Sequence, residues 1–190
     1  MTKIYNGYTI LNIFYTNSDP EQCSIEHTNK HLISQIKESC QLLSTAHRVL
    51  DGTEYIDSSS GRRIRRWKLD NDRDRLLYKA THVNHPSAVW VRQSRSNYLW
   101  LVNLLSELCS EYTYRYNKTH KCEQIGLVDM LFDNIPNNLP NNQFTEPTPA
   151  MPDIYVVKND SLASYQKYVR DGKKHLHNWK KRNVPDWINK

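Results

Sequence analysis

Apolar positions recur at steps of three and four along two long stretches of the chain. Across residues 28–50 the stripe is Leu32, Ile36, Cys40 and Leu43, with Ile33 and Leu50 nearby. Across residues 96–116 it is Tyr98, Leu101, Leu105, Leu108 and Tyr112. This is the period of a helix face turned to a core. Neither helix can bury its stripe alone, so the pattern predicts that the two pack together. The first should stop at "DG", with Gly52 in the left-handed cap conformation.

The other segments read less strongly. "TILNIFY" has strand character and predicts a short strand or an N-terminal arm within residues 1–17. "SDPEQ" has the features of a helix start, with Ser18 or Asp19 as cap and Pro20 in the first turn. Residues 53–80 are polar and charged and predict a loop or loose hairpin turning at "SSSG", with a helical turn at "RDRLLYKA". "NHPSAVW" and "KCEQIGLVDMLFDN" predict short helices, and "SLASYQKYVRDGKKHLHNW" a final one. Residues 135–152 hold five prolines without a regular period and predict a Pro/Asn-rich loop rather than a linker. The expectation is a mainly α fold, a single domain over residues 1–190 with two long packed helices.

Composition narrows the partner. The chain has 190 residues, a net charge of +6, 12 Tyr and 5 Trp. A basic surface rich in rings suits a polyanionic partner on which those rings stack. No apolar run approaches membrane-spanning length, and the start of the chain has no leader pattern. Four cysteines without a CxxC pair fit a reduced, cytoplasmic protein, with Cys40 and Cys109 as small core residues.

Candidate chemistry gathers at several places. His27, His31, Gln35 and Glu38 follow one another at intervals of four, four and three, beside the buried stripe rather than opposite it. A glutamate withdrawn from water there would have a raised pKa and could act as acid or base. The alternative is a solvated, helix-stabilising face. His27 and His31 also have the i, i+4 spacing of a metal pair, but no Cys or second acid stands at a diagnostic distance, so no metal or other cofactor is expected. "GRRIRRWK" offers Arg62, Arg63, Arg65, Arg66 and Lys68 to phosphates and Trp67 to a base. As a strand it would put Arg63, Arg65 and Trp67 on one face. His85, Trp90, Arg92, Asn97 and Trp100 in the second block, with Tyr98 among them, then Glu111, Arg115, His120 and Lys121, combine hydrogen-bonding groups with flat surfaces fit for a base-sized pocket. Glu111 and Arg115, four apart, can instead pair across one turn. No P-loop, GxGxxG or nucleophile elbow is present.

Three blocks, "NIFY…DP…H…KH…E…QLLSTAHRVLDG", "NHPSAVWVRQSRSNYLWL…EYTYRYNKTHK" and "AMPD…Y…YV…K…W…R..PDW", resemble a protein family common in phage genomes. More distantly, the first two resemble the all-α pyrimidine-dimer DNA glycosylases of the endonuclease V type. Those enzymes place a His and, seven residues later, a catalytic Glu on an early helix, the spacing of His31 and Glu38 here. Their bacterial relatives carry "HP…W.R", matched by His85, Pro86, Trp90 and Arg92. The resemblance implies that the polyanionic partner is nucleic acid, with DNA preferred, or a nucleotide. It implies cleavage of an N-glycosidic bond, with Glu38 as acid/base and His31 orienting it or contacting phosphate. It further implies Arg92 and Arg115 on phosphate and Trp90 or Tyr98 against a flipped base. In that family the amine of an N-terminal Thr attacks the sugar. Thr2 would be exposed by loss of Met1, but it stands 36 residues before Glu38, farther than the family spacing. A non-catalytic nucleic-acid or nucleotide-binding module, and a phage factor that blocks a host protein, remain as alternatives.

Overall fold

The computed structural model describes residues 11–190. Eight α-helices and one two-stranded sheet make up the described part, a mainly α fold. Residues 11–17 form an arm without strand pairing, turned tightly by bonds from Tyr15 N–H to Ile13 O and from Thr16 N–H to Phe14 O. The arm leads into α1 (Pro20–Glu26), whose cap is Asp19 and whose first residue is Pro20. Helix α2 (Asn29–Asp51) follows, capped by the Thr28 hydroxyl. Its stripe, Leu32, Ile36, Cys40 and Leu43, is fully buried, whereas Ile33 is 44% exposed and belongs to the opposite face.

Gly52 does not take the expected left-handed conformation, for its φ is −86°. Glycine is required there for room: a Cβ would lie 2.5 Å from the carbonyl oxygen of Arg48. The chain then turns into an antiparallel hairpin, β1 (Thr53–Asp57) and β2 (Ile64–Lys68), where sequence alone leaves loop and hairpin open. Arg48 ties this hairpin to α2. Its buried guanidinium donates to the carbonyls of Trp67, Asp74, Leu77 and Tyr78 and to the Asp74 carboxylate at 2.6 Å. Helix α3 (Asn71–Leu76) completes that corner.

Helices α4 (Pro86–Gln93) and α5 (Arg95–Tyr116) form the second half of the core. As expected from the stripes, α5 packs along α2, and Leu101, Leu105 and Leu108 are fully buried in the same cluster as Leu32, Ile36 and Leu43. The short helix expected at 121–134 is two, α6 (Lys121–Gln124) and α7 (Leu127–Asp133), because Gly126 between them adopts φ +73°. The Pro/Asn-rich loop is tied down: Arg95 N–H donates to Pro140 O at 2.7 Å, and Asn97 exchanges hydrogen bonds with Thr145. The expected final helix is α8 (Ser161–Lys167), which loosens into a π turn at Tyr168–Gly172 and a 3-10 turn at Lys174–Leu176. Glycine is required at 172 for room, since a Cβ there would come within 2.8 Å of the Tyr155 and Tyr168 rings.

Candidate active site

Glu38 lies on α2 and is 6% exposed. Its Oε2 accepts the Asn12 backbone N–H at 2.9 Å and the Gln35 side-chain amide at 2.8 Å. Neither donor carries a charge, and no salt bridge offsets the loss of hydration. Burial therefore pushes its pKa up to about 7, against the pull of hydrogen bonds from Asn12, Gln35 and Ser34 and of the Lys37 charge. A carboxyl poised near neutrality can both give and take a proton.

The arm over residues 11–16 forms the wall over this group. Asn12 is held from three sides: its Oδ1 accepts from Ile13 N–H and from the Tyr165 hydroxyl at 2.7 Å, and its Nδ2 donates to Ala150 O at 3.0 Å. Phe14 N–H donates to Gln35 Oε1 at 3.3 Å, so Gln35 links arm and carboxylate. The Phe14 ring stacks on His31 at 4.0 Å and 20°, and on its other side meets Tyr168 at 6.2 Å and 11°. Asn12, Phe14, Tyr165 and Tyr168 are absent from the residues that sequence reasoning selects. Only Asn12 and Phe14 carry a signal, as polar and aromatic positions in a strand-like run one short loop before the His/Glu helix.

Glu38, Gln35 and His31 thus come together as their spacing predicts. His27 joins them from a different element. It caps α1 rather than starting α2, and its Nδ1 lies 2.6 Å from Cys23 O while Nε2 is buried without a partner. Both histidines are held neutral by burial, His27 down to about 4 and His31 down to about 3. The Lys173 ammonium and the neighbouring imidazoles of His27, His175 and His177 further disfavour a proton on His31. Among the described residues no cluster of three metal-ligating side chains forms around this pair. Thr2 lies outside the described residues.

The remaining candidates have other structural ties. Arg115 is fully buried, and its donors are taken by Glu111 at 2.6 Å, by the carbonyls of Ile25 and His27, and by Asn29 Oδ1. That arrangement fastens α5 to α1, and with four of its five N–H groups engaged and none of it exposed the guanidinium is closed to phosphate. Trp90 packs edge-on against Trp100 and Phe144 and donates its indole N–H to Thr145 O, so its ring belongs to the core. Tyr98 is buried, with its hydroxyl between His47 Nε2 and Leu131 O, and desolvation raises its pKa. Asn97 holds the Pro/Asn-rich loop. Arg92 donates to Val83 O, with its Nη1 buried and unpartnered. His85 and His120 cap α4 and α6, and Lys121 is exposed.

In the hairpin, Arg65 stands 4.7 Å over the Trp67 ring, and Trp67 is only 7% exposed, so little of that ring is open to a base. Arg65 and Arg66 face Glu54 and Asp57 of β1 at 3.6 and 3.9 Å. Arg62, Arg63 and Lys68 are exposed and enter no ion pair among the described residues.

Comparison with known proteins locates this architecture. A family model described as pyrimidine dimer DNA glycosylase matches residues 11–124, from the arm over Glu38 to the end of α6. The searches of curated proteins and of solved structures returned no match. No helix of the described residues is long and apolar enough to cross a membrane. The matched segment spans more than half of the 190 residues, and the chain belongs to the pyrimidine dimer DNA glycosylase family.

Proposed function

We propose that the protein cleaves the N-glycosidic bond of one pyrimidine of a dimer in DNA, releasing that base from its sugar while the dimer still tethers it to its neighbour, with Glu38 as the acid/base group. The observation that supports this reading is a buried carboxylate without a cationic partner, raised to about 7 and covered by a pinned arm. Family membership supplies the substrate class, DNA. His31, neutral and stacked on Phe14, orients the arm beside Glu38 rather than neutralising phosphate. The target nucleotide leaves the base stack to reach the carboxylate.

The backbone nitrogen hydrogen-bonded to Glu38 is the Asn12 amide, whose lone pair is delocalised into its peptide bond and is no nucleophile. We therefore favour water as attacking group. Water oxygen bonds to C1′, its proton passes to Glu38, the C1′–N bond breaks with its electrons going to the base, and that proton is available to the departing nitrogen. In the alternative the free amine of Thr2 attacks C1′ and leaves an imine.

The two routes separate in one assay of base release from the sugar in a duplex carrying a pyrimidine dimer, read as the abasic site left behind, with borohydride present. Release without a covalent adduct supports water, whereas an adduct lost on acetylating the N-terminus supports the Thr2 amine. Undiminished release by Glu38→Gln would remove Glu38 from the mechanism. Binding without release from any lesion would favour a binding module.

A further inference from the structure

Residues 161–190 hold eight Lys and Arg against two acids, a net of +6, so the first 160 residues are balanced and this stretch carries the charge of the whole chain. It lies beyond the family-matched segment, yet the fold brings it to the candidate site. Tyr165 bonds Asn12, and Gln166 donates to Thr16 O at 2.9 Å. Downstream, the indoles of Trp179 and Trp187 donate to Glu26 O and Oε2 at 2.8 and 3.0 Å, and Asn29 N–H donates to Asn178 O at 2.8 Å. A ladder of flat groups leads outward from Glu38: His31 on Phe14, Phe14 on Tyr168, and Lys173 Nζ 5.0 Å over the Tyr168 ring.

At the end of that ladder is an open trough of about 580 Å³ lined by Arg170, Lys174, His177 and Lys190, with Asp171 the one acid. Asp171 is paired with Arg170 at 3.0 Å. Lys173, Lys174 and Lys190 meet no carboxylate among the described residues, and residues 1–10 contain no acid. Arg182, by contrast, is taken up by Glu111, and Lys181 by Tyr114 O and Asn117. Unpaired cations on a fixed backbone, beside a site for a flipped base, suit the phosphodiester chain flanking that base.

We propose that Lys173, Lys174 and Lys190, with Arg170 and His177, form the main DNA-backbone contact of this protein, ahead of the basic hairpin. This rests on the glycosylase reading for its choice of polyanion. The test is the salt dependence of binding to an undamaged duplex by the full chain. Lys173→Ala/Lys174→Ala/Lys190→Ala should weaken binding roughly ten-fold or more at low salt and flatten the log–log slope by about 0.9 for each phosphate no longer neutralised. The same three positions changed to Arg should keep the slope, and Arg62→Ala/Arg63→Ala in the hairpin should change it less. An unchanged slope in the Ala triple, or the larger loss in the hairpin variant, overturns the proposal. If base release by the wild type then persists, the glycosylase reading survives that failure. If the slope changes as expected but no lesion is ever processed, the strip stands and the glycosylase reading falls.

Discussion

Glu38 and Glu111 sit on the two long helices and are almost equally hidden, 6% and 4% exposed. Glu111 is met by two guanidiniums, Arg115 at 2.6 Å and Arg182 at 2.8 Å. Glu38 is met by two neutral amides. Burial alone therefore does not mark a functional acid. A buried ion pair fixes two elements at a known electrostatic balance, whereas a buried carboxyl with only dipoles around it keeps a proton within reach at neutral pH.

The sharpest way to break this contrast is chemical. Glu38→Gln preserves shape and should slow base release by about 10²–10⁴-fold, the usual range for an acid–base group, measured by single-turnover kinetics. The same substitution should cost little stability, since the amide oxygen still accepts from Asn12. Arg115→Ala should do the reverse. It leaves Glu111 with one partner and strands the carbonyls of Ile25 and His27, an expected loss of about 3–5 kcal/mol in urea unfolding.

The third prediction uses pH. The folded pKa of Glu38, about 7, stands above its ordinary 4.5, so the folded state holds the proton more tightly than the unfolded chain. Its contribution is complete below pH 4.5, declines as pH rises from 4.5 to 7, and above that leaves the protein about 3 kcal/mol less stable, to order of magnitude. His27 and His31 act in the opposite sense. Their folded values lie below 6.5, so stability is lost as pH falls from about 6.5 toward 4 at His27 and 3 at His31. The wild-type profile mixes both, and subtracting the Glu38→Gln profile isolates the glutamate. A difference flat across pH 4.5–7 would show an ordinary carboxylate. A base-release limb near pH 7 that falls on the acid side would mark Glu38 as base, and one that falls on the alkaline side as acid. The smallest effect is expected from Tyr165→Phe, which removes the hydroxyl that donates to Asn12 and Thr148 O and accepts from Ala150 N–H, and should cost about 1–2 kcal/mol in the same unfolding measurement.

The sequence is most legible where structure is local. The stripes of α2 and α5 announce themselves through helical period, and Asp19–Pro20 announces a helix start. Gln35 and Glu38 are one turn apart, and the period also places them at the margin of the core. Side chains with polar tips mislead: Trp90 and Arg115 look like ligand groups, and their tips serve the protein's own carbonyls at Thr145, Ile25 and His27. Those acceptors are backbone atoms, which the sequence does not distinguish. The cover of Glu38 is illegible for another reason, since Asn12 meets Ala150 and Tyr165 across 138 and 153 residues. No periodicity reports interactions of that range.

That separation has a consequence for how the protein is made. During synthesis α1 through α6 leave the ribosome well before Tyr165, so the helical core can assemble while the arm still lacks its hydroxyl and carbonyl anchors. Interactions of such sequence distance form late and slowly. The nascent chain would thus pass through a stage with its leucine core in place and Glu38 open to water, ionised as an ordinary surface acid. Completion of the C-terminal stretch would then withdraw that carboxyl from solvent and bring the basic strip beside it in the same step. On the proposed reading, catalytic competence and electrostatic grip on DNA would arrive together, once residues 161–190 have emerged.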